Sequence, residues 1–118
     1  MVSKKFKTPL YGNQFTVILF KEEKEIYDNI KGFSHNRSLN DYDGCVFTSN
    51  GDTYLALNIS RKGFPTPGII AHEAKHLVNS IFIDIGHELC RYNDEPEAYL
   101  LGWIVNRIHE LLAKNNEK

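Results

Sequence analysis

Cysteine is scarce in this chain: Cys45 and Cys90 are the only two among 118 residues. Two cysteines make no disulfide framework, and both read as free thiols in a reducing cytoplasm. An excess of one charge is also lacking. Fourteen lysines and arginines stand against fifteen aspartates and glutamates, a formal net charge of -1, which excludes the basic footprint of a nucleic-acid binder. Lys4, Lys5 and Lys7 cluster near the start and read as a solvated terminus. Long hydrophobic runs are missing too. No stretch approaches the length of a membrane span, and Thr8, Pro9, Gly12 and Asn13 interrupt the N-terminal segment before it could serve as an export signal. The expectation is a cytoplasmic protein with no membrane and no nucleic-acid partner. There is no internal repeat and no low-complexity segment.

What is present suits an ordinary globular domain, with 42% hydrophobic and 25% charged residues. The length fits one domain over residues 1–118. Phe15 to Phe20 is short, apolar and rich in β-formers, and reads as a buried strand. Lys21 to Lys31 reads as a short helix with Ile26, Tyr27 and Ile30 on one side and Gly32 as its stop. Residues 33 to 44 are mostly polar and read as a loop. Cys45 to Ser49 and Asp52 to Ile59 flank Asn50-Gly51, a strong hairpin signal because both turn positions need positive φ. In the second run Leu55, Leu57 and Ile59 share one face, and Tyr54, Ala56 and Asn58 share the other.

Two helices follow. The first spans about Pro67 to Ile85, with Thr66 as N-cap and Pro67 at the first helical position. Ile70, Ala74, Leu77, Val78, Ile81 and Ile85 form its apolar stripe. The second spans about Glu95 to Lys114, with Ala98, Leu101, Val105, Ile108 and Leu112 expected on its inner side. The fold class implied is α+β, a short antiparallel or mixed sheet packed on these helices.

His72-Glu73-Ala74-Lys75-His76 carries chemistry. Residues four apart on a helix lie one turn apart on one face, so His72 and His76 can reach a single metal ion. Glu73 projects beside that ion without ligating it and can take a proton from water there. All three fall off the apolar stripe. A catalytic zinc needs a third protein ligand and an open fourth position. Phe82 stands where a third histidine would complete one known spacing, and His87 lies about three turns beyond His76, too far along the helix. The start of the last helix, Asp94-Glu95-Pro96-Glu97-Ala98-Tyr99, offers two carboxylates. Asp94 and Glu97 have the spacing of a cap and its reciprocal partner. Glu95 has no such role, and it shares a face with Ala98, Tyr99 and Gly102 that could approach the first helix closely. Glu95 is therefore the expected third ligand, with Glu97 the alternative. Tyr92 and Tyr99 are candidates for stabilising an oxyanion.

His-Glu-x-x-His followed about twenty residues on by Glu-x-x-Ala-Tyr, at the start of a second helix, resembles the gluzincin class of zinc metallopeptidases. The short form, continuing Leu100-Leu101-Gly102-Trp103, looks like small metallopeptidases encoded by bacteriophages and prophages. The resemblance covers about residues 69 to 108. It implies a zincin-like fold, Zn2+ held by His72, His76 and Glu95, and Glu73 as general base. It places Tyr99 where gluzincins often carry an Asp that supports a ligand histidine. It also implies that Thr53 to Ser60 is an edge strand pairing with a peptide or protein substrate. Lys75 stands where the family usually has an uncharged residue. The expected activity is peptide hydrolysis. The alternative is a non-catalytic zinc-binding accessory or protein-interaction module on the same scaffold. Substrate and oligomeric state stay open.

Overall fold

A computed structural model describes residues 1–34, 39 and 42–117. Four strands and three helices follow in the order β1 (Val2–Lys7), β2 (Gln14–Phe20), α1 (Glu23–Asn29), β3 (Gly44–Ser49), β4 (Asp52–Asn58), α2 (Pro67–Asp84) and α3 (Glu95–Asn116). The strands form one sheet in the order β1-β2-β4-β3. β2 and β4 run parallel at its centre, and β1 and β3 are antiparallel edges. The α+β class is as the sequence implies. Of the loop expected over residues 33–44, positions 35–38, 40 and 41 lie outside the described residues, as does Lys118 of the tail.

Local chemistry explains most of these elements. Asn50 and Gly51 have φ of 51° and 84°, the left-handed pair that a two-residue hairpin requires. Thr66 caps α2 by accepting the Ile69 N–H at 3.3 Å, and Pro67 occupies the first turn, where its missing N–H costs nothing. The alternation in β4 holds. Leu55 and Leu57 enter the core under α2 and α3, while Ala56 and Tyr54 meet α1 on the other side. Both faces are covered because the central strands are apolar on both.

Three expectations change. The Lys-rich start is strand β1, whose Phe6 stacks on Phe15 at 5.6 Å and meets the edge of Trp103 at 6.5 Å. Lysines at the exposed positions of an edge strand also discourage pairing with other chains. The segment Thr53 to Ser60 is not an edge. β4 lies inside the sheet between β2 and β3, and the free edge beside α2 is β3. The inner side of α3 is rotated: Leu100, Ile104, Ile108 and Leu111 are buried, Leu101, Val105 and Leu112 are half-buried, and Ala98 is exposed. Two adjacent apolar rows run along α3, and the packing on α2 selects between them. In α2 the stripe is buried from Ile70 to Ile81, Phe82 joins it, and Ile85 lies at the exposed end.

Candidate metal centre

α2 crosses the sheet so that its first half passes beside the start of β3. His72 and His76 are exposed on its outer side, one turn apart, and their Nε2 atoms stand 3.2 Å from each other. The rings meet edge to face at a centroid distance of 4.8 Å. Glu73 lies on the sheet side. It was expected off the apolar stripe, yet it is only 5% exposed, because β3 passes over it. The ligand atoms of His72, Glu73 and His76 all lie within 4.8 Å of one another.

Gly44 makes this burial possible. A Cβ at position 44 would come within 2.8 Å of the Ala56 carbonyl oxygen and 3.1 Å of Glu73 Cγ. The volume a side chain would occupy is filled by the stem of Glu73 and the neighbouring strand. A glycine opening a strand signals this kind of close approach. It was the one trace in the sequence of a contact that motif reading missed.

Burial raises the Glu73 carboxyl above its usual range by stripping water from the charged form, and the positive charges of His72 and His76, when protonated, pull it partly back. Cys45, the next residue of β3, is pushed up to about 12, first by burial and then by the negative charge of Glu73. That thiol is therefore neutral and unreactive, which argues against a cysteine nucleophile here.

An open groove of about 650 Å³ runs between the β3 edge and α2. Gly44, Val46 and Phe47 line one wall, and His72, His76 and Ile83 the other. Glu73 reaches its floor from beneath. The groove thus brings together the three motif residues and an unpaired strand edge.

The remaining sequence candidates are placed differently. Glu95 begins α3, is exposed, and lies outside the His72, Glu73 and His76 group. The face it shares with Ala98, Tyr99 and Gly102 points to solvent; a Cβ at Gly102 would meet nothing within 4 Å. Tyr99 is 77% exposed and Tyr92 94%. Glu97 is half-buried and turned toward α2, where it accepts a hydrogen bond from Lys75 Nζ. The Asp94 side chain makes no capping hydrogen bond, so the ion pair, and not a cap, accounts for Glu97. His87 packs its ring on Phe82 at 4.5 Å.

The donor set is one that could hold a metal ion. Two imidazole nitrogens bound about 2.0–2.1 Å from one tetrahedral zinc sit about 3.3 Å apart, close to the 3.2 Å between the two Nε2 atoms. Glu73, a residue only 5% exposed, stands beside them. No family model, curated protein or solved structure matches the chain. No helix among the described residues is long and apolar enough to cross a membrane.

Proposed function

We propose that this chain is a zinc-dependent hydrolase of zincin-like architecture acting on peptide bonds. The observation that carries the reading is the convergence of His72 and His76 beside buried Glu73, under the free edge of β3. His72 and His76 would hold the ion through Nε2. The third ligand would come from the start of α3. There the proposal moves from Glu95 to Glu97, because Glu97 is the carboxylate that faces α2. Bound there, zinc would supply Lewis acidity toward a carbonyl and lower the pKa of coordinated water to about 7.

The chain's own residues supply the rest. The buried Glu73 carboxylate, with its raised proton affinity, accepts the proton from the attacking water and passes it to the departing amine. The outer edge of β3 offers unpaired backbone N–H and C=O groups to an extended peptide, which would add as a further strand along the groove. Such pairing reads backbone more than side chains, consistent with a shallow groove. Tyr99 does not line it, so oxyanion stabilisation is assigned to no tyrosine.

The test is metal content and hydrolysis measured together. The purified chain should carry about one zinc, and His72→Ala should lose it. Glu73→Gln should keep zinc and reduce cleavage of a pooled peptide library about 10²- to 10⁴-fold, the usual contribution of a general base. Full cleavage by Glu73→Gln would sink the mechanism. Zinc binding without cleavage in the unaltered chain would favour the alternative, a non-catalytic zinc module. The observation on that side is Lys75, a cation set between the two histidines and engaged with Glu97.

A further inference from the structure

Lys75 stands between His72 and His76 on α2. Its ammonium donates to Glu97 on α3 and to Asn79 Oδ1, one turn along α2, at 2.9 Å. Among the described residues this is the only ion pair joining α2 to α3. It is partly sheltered, with side-chain exposures of 40% and 20%. In this arrangement Glu97 lies outside the group formed by His72, Glu73 and His76. The carboxylate that could close the site is held on the lysine instead.

We propose that Lys75 is a built-in competitor for Glu97, so that it sets zinc affinity without touching the metal. This rests on the reading of His72, His76 and Glu97 as the ligand set. For the site to close, the Glu97 carboxylate must leave the ammonium and swing to the histidine side. Asn79 makes the exchange inexpensive, because the Asn79 oxygen still accepts from the ammonium once Glu97 has gone. A dication arriving near Lys75 also repels it, which favours the same movement. The pair therefore has two settings, lysine-bound and metal-bound, and α3 is tied to α2 in either.

Simple charge repulsion and competition for Glu97 make different predictions, which a double-mutant cycle separates. Zinc affinity of the full chain is measured against a chromophoric chelator for the unaltered protein, K75M, K75R, E97Q and the K75M/E97Q double variant. Methionine is a good helix former, so K75M should leave α2 intact, and K75R retains the cation and the pairing. Zinc binding should tighten on K75M about fivefold more in the presence of Glu97 than in the E97Q background, the scale of one partly exposed ion pair. K75R should stay within about twofold of the unaltered chain, and E97Q should weaken binding at least about tenfold. An equal tightening in both backgrounds would overturn the proposal and leave only repulsion, as would K75M with unchanged affinity. Failure of the underlying metal reading looks different: no zinc binding by the unaltered chain, or E97Q binding as tightly as it, overturns both.

Discussion

The two faces of the sheet are built unequally. One carries α2 and α3, and its core joins Val17, Leu19, Leu55 and Leu57 to the apolar rows of both helices. Among the described residues, the other carries the short α1 and parts of the following segment, with Ile18, Phe20, Ile26, Phe33, Leu39 and Ala56. The first face is held by close-packed apolar area, worth about 1.5–3 kcal/mol for each large side chain fully buried. The second depends more on polar ties. Ser49 Oγ and Asn50 Nδ2 both donate to the Lys31 carbonyl, at 3.0 and 3.1 Å, and so pin the β3–β4 hairpin to the end of α1. The His72, Glu73 and His76 group lies at the rim of the thick face, on α2. The groove wall, β3, is an outer strand of the sheet, with Val46 packed toward the thick face and Phe47 toward the other.

Substitutions test this inequality. Leu77→Ala, in the middle of α2, should lower unfolding free energy by about 3–4 kcal/mol in urea titration, the cavity cost of a fully buried leucine. Ile26→Ala is just as buried but sits under thin cover that can relax, so about 2 kcal/mol is expected. An equal or larger loss at Ile26 would break the comparison.

Glu73 gives a smaller effect of opposite sign. Its folded carboxyl binds its proton more tightly than the unfolded one, whose ordinary value is 4.5. Just above that value the folded chain still holds a proton that the unfolded chain has released. Stability therefore falls as pH rises through that window. Metal-free Glu73→Gln should melt higher than the unaltered chain at neutral pH, where the folded carboxyl has lost the proton it holds more tightly. That advantage should disappear by about pH 4, where both forms are protonated. A constant difference across this range would show that the charge is not what strains the site.

The cysteines give the smallest effect on the fold and the sharpest contrast in reactivity. Cys90 is exposed in the α2–α3 connection, whereas the Cys45 thiol is held neutral at the groove. At pH 8, iodoacetamide should modify Cys90 at least about a hundredfold faster, read by intact mass, because the thiolate is the reacting form.

Local signals were legible where they were self-sufficient. The Thr66-Pro67 start, the Ile70-to-Ile81 stripe and Asn50-Gly51 each specify an element without help from the rest of the chain. So did the convergence of His72, Glu73 and His76, since helical spacing alone brings them together. What escaped the sequence depends on partners far along the chain. β1 has one inward aromatic among lysines, and becomes a strand because Phe6 finds Phe15 and Trp103. The edge position passed from β4 to β3 because strand order is set by which apolar strands pair at the centre. The buried row of α3 was ambiguous because Leu100 and Leu101, Ile104 and Val105, and Leu111 and Leu112 offer two neighbouring choices. Glu95 lies on that ambiguous face, whereas Glu97 is the one that meets Lys75.

One missing methyl group has a wider consequence. Gly44 needs to be glycine for lack of space, not for an unusual backbone: the position where its Cβ would stand is already shared by the Ala56 carbonyl and the Glu73 stem. An alanine there would set two demands against each other, keeping β3 registered on β4 or keeping the carboxylate tucked beneath it. The outer line of the sheet and the seating of the acid are thus one steric decision, made at a residue that has no side chain.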